Sequence, residues 1–108
     1  PRLYGTYPKA FQDFVVRNAL LSREQFVHRS SGLVAETFGL CDRGFLREGF
    51  IADIAVIDAK SFRSTASYEQ PTELASGVEA LLVGGEMVLG PDYTGALPGR
   101  VLRKTACK

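Results

Sequence analysis

The sequence predicts an α+β chain, helical over its first 40 residues and built of strands and turns after that. Three observations carry this. Residues 9–21 contain neither Gly nor Pro and repeat apolar side chains near helical spacing. A capping signature opens a second helix at Ser22. Residues 50–58 are apolar on both faces, β-branched and free of Gly and Pro, and two shorter apolar runs follow on either side of Gly84-Gly85.

In the first helix Phe11, Phe14, Val15 and Ala19 supply the apolar stripe. Ser22 is placed to cap the second, with Gln25 three residues on to complete a capping box, and Leu21 and Phe26 are spaced to form the accompanying hydrophobic staple. Ser31 is placed to cap a third, short helix carrying Leu33, Val34, Ala35 and Phe38, which Gly39 should end in a left-handed conformation with Leu40 packing back. Residues 50–58 read as a strand covered on both faces. Residues 60–77 are polar, contain Pro71 and have no period, so they read as a long loop wrapping over something. Residues 78–83 and 86–89 read as a hairpin turning at Gly84-Gly85. Gly44, Gly49, Gly95 and Gly99 read as backbone devices in turns.

Composition narrows the function. Thirteen basic residues stand against twelve acidic ones, for a net charge of +1. That balance excludes the clustered positive charge of a nucleic-acid or membrane-surface protein. Arg100, Arg103, Lys104 and Lys108 concentrate at the C-terminus and read as a solvated tail. The longest apolar runs, Ile54-Ala55-Val56-Ile57 and Ala80-Leu81-Leu82-Val83, are far short of the roughly 20 residues that span a bilayer. With no apolar leader at Pro1, a cytoplasmic location is expected. Two cysteines, Cys41 and Cys107, are weak evidence for a disulfide framework.

A hydrolytic metal site needs several imidazoles, carboxylates or thiolates converging on one ion. This chain has one histidine, His28, on a helix, where packing or surface roles prevail. It has no Cys-x-x-Cys, no His-x-His and no Gly-x-Ser-x-Gly, and its glycines do not make a phosphate loop. No catalytic residue and no metal ligand is assigned. Asp53, inside an apolar run, reads as structural, bonding backbone, and Asp42 with Arg43 as a local ion pair.

Longer phrases carry a resemblance. Asp42-Arg43-Gly44, Gly49, Ala52-Asp53, the apolar run and Asp58 resemble a phrase near the end of amidohydrolase-superfamily enzymes. Val83-Gly84-Gly85 resembles the Val-Asn-Gly hairpin that follows it there, with Gly84 in place of Asn. Two phrases are narrower. Pro1-Arg2, with Gly5-Thr6-Tyr7-Pro8-Lys9, resembles the Pro-Arg, Gly-Thr-Phe-Pro-Arg phrase of the D-aminoacylase (N-acyl-D-amino-acid deacylase) family, with Lys9 for Arg. Thr94-Gly95, with Pro98-Gly99-Arg100-Val101-Leu102, resembles its closing phrase, and Tyr68-Glu69 with Pro71 resembles an element between the two strands. Gly32 and Val34 depart from the usual Ser and Pro, and Gly32 should weaken the third helix by about 1 kcal/mol.

The resemblance covers nearly the whole chain and implies a C-terminal piece of an α/β parent. That parent is a TIM-barrel amidohydrolase with a small β-sandwich domain. Residues 1–40 are then the last barrel helices, and residues 41–108 the C-terminal part of the sandwich. The implied reaction is hydrolysis of the amide of an N-acyl-D-amino acid, a small-molecule substrate, with zinc in the parent and none in this piece. Arg2 matches the position whose arginine grips the substrate carboxylate, as a planar guanidinium suits. The isolated chain is expected to be inactive. Two alternatives stand beside this reading: a noncatalytic β-rich association module, and a piece of another amidohydrolase such as a dihydroorotase-like enzyme. In a piece lacking its parent's other strands, the 50–58 strand should expose an edge and favour self-association.

Overall fold

The computed structural model describes residues 2–104, so Pro1, Cys107 and Lys108, which entered the sequence reading, lie outside the described residues. Helix α1 (Arg2–Ala10) runs into a π-helical segment (Phe11–Arg17) and is followed by α2 (Arg23–Ser30) and α3 (Gly32–Phe38). Strands β1 (Ile54–Ile57), β2 (Val78–Val83) and β3 (Glu86–Leu89) form one sheet in the order β1-β2-β3. The chain is α+β, helices first and sheet second. It divides into two compact units, one of residues 1–26 and 56–79, the other of residues 27–55 and 80–108.

The first unit is organised by three phenylalanines. Phe11 (2 % exposed), Phe26 (8 %) and Phe62 (7 %) are its buried apolar side chains, with Ala10, Val15, Ile57, Ala59 and Val78 packed around them. Phe11 meets the other two rings edge-on, with centroids 5.3 and 5.5 Å away, an arrangement the ring quadrupoles favour. Phe62 explains the long polar segment that sequence reads as a wrapping loop. Asp58 turns the chain, its carboxylate accepting the Ser61 hydroxyl at 2.7 Å and the Lys60 N–H at 3.0 Å, and Phe62 drops into the core. The Gln12 amide then donates to the Phe62 carbonyl at 2.7 Å, and Arg63 pairs with Ser76 as an isolated bridge.

The capping box is present as the sequence predicts: the Gln25 N–H donates to Ser22 Oγ at 3.1 Å and the Ser22 N–H to Gln25 Oε1 at 2.8 Å. Leu21 is not among the residues packed on the Phe26 cluster, so the expected staple gives way to the contact of Phe26 with Phe11. The first helix begins at Arg2, well before the expected Lys9, with Gly5 and Pro8 inside it. Gly5 is there because a Cβ would overlap the Ser64 hydroxyl.

In the second unit α3 ends as predicted. Gly39 is left-handed (φ 69°), its N–H reaches the Glu36 carbonyl, and the Leu40 N–H reaches the Ala35 carbonyl at 2.8 Å, a Schellman closure. The start of α3 is different from the prediction. The Ser31 hydroxyl makes no cap and donates back to the Val27 carbonyl at 2.7 Å. Gly32, read from sequence as a weakness, is buried with the Phe45 ring so close that a Cβ would stand 2.6 Å from it. The lost helix propensity is exchanged for that contact. Gly44, Gly49 and Gly95 adopt positive φ, and Gly99 does not.

The hairpin has its predicted ends, with positive φ at both Gly84 and Gly85 as a two-residue turn requires, and a bulge falls between Leu81 and Leu82. The strand predicted over residues 50–58 is a correction. Only Ile54–Ile57 is strand, and its middle is open, with Val56 44 % exposed. Residue 50 is a bend and residues 51–53 are irregular, with the Phe50 N–H donating to the Arg47 carbonyl, Ile51 to Asp42 and Asp53 to Ile51, while the Ala52 carbonyl accepts the Gly85 N–H at 3.0 Å. Cys41 is disulfide-bonded, which the cysteine count did not suggest.

Candidate functional site

Two surface hollows stand out, one in each unit. That of the second unit, about 500 Å³, lies over the hairpin turn and is lined by Arg43, Asp53, Gly84, Glu86, Pro98 and Arg100 among others. Its centre is occupied by structural bonding. Asp53 accepts the Gly84 N–H at 2.8 Å with one oxygen and the Arg43 guanidinium at 2.5 Å with the other, while Arg43 also reaches Asp42 at 3.3 Å. This matches the structural reading of Asp53 and the local pairing of Asp42 with Arg43.

The hollow of the first unit, about 710 Å³, contains the residue that sequence singles out, Arg2. One wall is α1 and the π-helical segment; the other is the loop around residues 63–69. Gly5 allows these walls to approach, since it is the point at which Ser64 presses on the helix. Arg2 occupies the first turn of α1, where the Thr6 hydroxyl donates to its carbonyl at 2.6 Å. Its side chain is exposed, as is that of Arg63 on the facing loop.

The charges around this hollow are not equivalent. Lys9 and Arg17 both converge on Asp13, at 3.1 and 2.9 Å, one turn before and one turn after it. These partners, Lys9 foremost, hold the Asp13 carboxyl below the usual carboxylate range. Glu69 is likewise lowered, by its own backbone N–H and by the Ser67 hydroxyl. Arg2 and Arg63 make no ion pair or side-chain hydrogen bond among the described residues. They are the cations of the hollow with nothing to neutralise them. Sequence reading identified Arg2 through its motif and missed Arg63, which lies in a segment with no period and lines the same hollow.

Among the described residues no group of three or more His, Cys, Asp or Glu side chains could hold a metal ion. His28, the chain's single imidazole, lies 6.5 Å from the Phe45 ring, centroid to centroid, in a tilted contact. No helix among the described residues is long and apolar enough to cross a membrane.

No family model matches the chain. Three curated proteins of Alcaligenes xylosoxydans xylosoxydans do. A D-aminoacylase is 39% identical over 107 residues, 98% of this chain. An N-acyl-D-aspartate deacylase is 37% identical over 94% of it, and an N-acyl-D-glutamate deacylase 37% identical over 98%. The chain spans only 21 to 22% of the length of these relatives. Solved structures agree. A D-aminoacylase mutant in complex with copper chloride superposes with a TM-score of 0.88 at 37% identity, over 94% of this chain and 22% of that one. The N-acyl-D-glutamate deacylase of Bordetella bronchiseptica, complexed with zinc and a phosphonate mimic of the tetrahedral intermediate, gives 0.86 at 34% identity, over 95% and 22%.

Proposed function

Because this chain is homologous over nearly its whole length to the D-aminoacylases and N-acyl-D-amino-acid deacylases, we propose that it is the C-terminal part of an enzyme of that class. The reaction is hydrolysis of the amide of an N-acyl-D-amino acid. Water adds to the acyl carbon, the C–N bond breaks, and a carboxylic acid and a D-amino acid leave. Residues 1–40 then belong to the helical end of a TIM barrel and residues 41–108 to a small β-sandwich. The metal ligands and the acid–base group belong to the remaining four-fifths of such an enzyme, and the isolated chain is inactive.

Arg2 is the residue of this chain to which we give a direct role, holding the substrate carboxylate. What supports this is its matched motif together with its setting: an exposed guanidinium lining a hollow, with no partner among the described residues. A guanidinium fork is rigid and matches both carboxylate oxygens at once, which an ammonium cannot do. In the enzyme containing this chain, Arg2→Lys should lower kcat/KM on an N-acyl-D-amino acid by about 1.5–3 kcal/mol, the worth of a charge-assisted contact. The matching substrate with a carboxamide in place of the carboxylate should be affected far less. Equal losses on both would remove Arg2 from this role.

Self-association is a further part of the proposal. Strands β1 and β3 are the two edges of the sheet, and unpaired edges recruit other strands. Light scattering over a concentration series tests it, a concentration-independent monomer counting against it. A cytoplasmic location is proposed as well; the disulfide at Cys41 is a bond that reducing compartments disfavour, so the redox state of Cys41 in cells decides the matter.

A further inference from the structure

Helix α1 has little in its own sequence to hold its first turns. Gly5 is a poor helix former, and Pro8 has no N–H to return to the Tyr4 carbonyl. Of the nine residues of α1, only Gly5 and Pro8 are buried. At Gly5 the helix meets Ser64, which belongs to the same unit. A Cβ on Gly5 would stand 2.0 Å from Ser64 Oγ and 2.8 Å from Ser64 Cβ. Turning the hydroxyl away would relieve the first overlap and leave the second. Ser64 is itself fixed from both sides. Arg63 exchanges backbone hydrogen bonds with Ser76 at 3.2 and 3.0 Å, and the Thr65 hydroxyl donates to the Leu74 carbonyl at 3.0 Å. Further along, the Gln12 amide donates to the Phe62 carbonyl at 2.7 Å, so residues 62–64 grip the helical segment at two points. Arg2 lies in the same turn as Gly5, and the Thr6 hydroxyl, donating to the Arg2 carbonyl at 2.6 Å, ties the ends of that turn together.

We infer that Ser64, seated against Gly5, is a positioning residue for Arg2. The contact sets where the first turn of α1 stands, and so the point from which the Arg2 guanidinium reaches out. Within the reading above, on which this rests, Arg2 holds the substrate carboxylate. A bidentate grip depends on both the distance and the direction of the fork, so a shift of the turn weakens it. Ser64 touches no substrate and acts through the backbone of the helix. Its effect is therefore confined to substrates that carry the carboxylate.

The test uses the enzyme containing this chain, with an N-acyl-D-amino acid and its carboxamide counterpart as paired substrates. Gly5→Ala puts a methyl group against Ser64 and pushes the turn away. Ser64→Gly removes both atoms that the methyl would meet and adds none, so it releases the turn without overlap. A displacement of about 1 Å can cost on the order of 100-fold, and the smaller shifts here should raise KM for the carboxylate substrate by about threefold to tenfold in each variant. KM for the carboxamide, and kcat for both substrates, should not move. In the double variant Gly5→Ala/Ser64→Gly the methyl occupies the space that the serine leaves, and KM for the carboxylate should return to within about twofold of the unaltered value. A purely structural role would depress both substrates together. Arg2→Lys in the same assay is the reference. Equal losses on the two substrates there overturn the role of Arg2 and the positioning role with it. A carboxylate-selective loss in Arg2→Lys overturns the role of Ser64 alone if Ser64→Gly leaves KM unchanged or impairs both substrates equally. A double variant no better than Gly5→Ala does the same. Should Gly5→Ala fail to fold, Ser64→Gly and Arg2→Lys decide the matter between them.

Discussion

Arg43 holds Asp53 at 2.5 Å, and the second oxygen of the same carboxylate accepts the Gly84 N–H at 2.8 Å. One side chain thus joins the turn at residues 42–44 to the tip of the hairpin. With both oxygens occupied, neither substitution that removes one is conservative. Asp53→Ala should destabilise the chain by about 0.5–1.5 kcal/mol, the net worth of hydrogen bonds whose freed donors can turn to water. Amide exchange at Gly84 should accelerate more than at Leu81. Exchange that stays unchanged at Gly84 would mean that the turn glycines alone hold the tip.

The Ser22–Gln25 box gives a second prediction. Ser22→Ala should cost about 1 kcal/mol, within the usual range for a lost N-cap. Gln25→Ala should add little once Ser22 is gone, because the two bonds are reciprocal. Urea denaturation of the two single variants and the double variant measures the coupling, and strict additivity would count against the box acting as a unit.

Asp58 gives a pH dependence. The Ser61 hydroxyl, followed by the Lys60 N–H, holds its carboxyl below the usual carboxylate value. A depressed folded-state pKa stabilises the fold above the unfolded-state value and loses that contribution as pH falls through the folded-state value. Asp58→Asn should therefore lower Tm at neutral pH, with the gap from the unaltered chain closing from about pH 4 downward. A gap that is constant from pH 7 to 2 would show that Asp58 acts by shape and not by charge.

Ala19 is the described non-glycine residue with positive φ, at 48°, just past Asn18, the C-cap of the π-helical segment, where the Leu20 and Leu21 N–H groups both return to the Phe14 carbonyl. Left-handed backbone costs an L-residue roughly 1–2 kcal/mol, part of which glycine gives back as unfolded-state entropy. Ala19→Gly should stabilise the chain by about 0.5–1 kcal/mol, read as a rise in Tm. A fall would show that the Ala19 methyl packs more usefully than its backbone suffers.

What sequence shows well in this chain is what depends on near neighbours. The Ser22 box, the Gly39 closure and the Gly84-Gly85 turn each involve bonds between residues a few positions apart, and each is present. The misreadings come from distant partners. Gly5 and Pro8 argue locally against a helix from Arg2, yet α1 forms, and Gly5 is needed because Ser64 comes against it. Ser31 is spaced to cap α3 but its hydroxyl turns to Val27 instead. Asp53 should sit within a strand by pattern, and its bonds to Arg43 and Gly84 go with a strand that starts only at Ile54. The hollow divides in the same way. Arg2 is visible through a short motif, whereas Arg63 comes to line the same hollow from a segment with no motif, next to the buried Phe62.

The division into units has a consequence for how this chain comes apart. The boundaries fall after residues 26, 55 and 79, inside α2, β1 and β2, so each unit is assembled from two separate stretches of sequence. No single cut by a protease frees either unit of residues that belong to the other. A cut after residue 26 keeps the second unit whole but strands residues 56–79, and a cut after residue 79 keeps the first whole but strands residues 27–55.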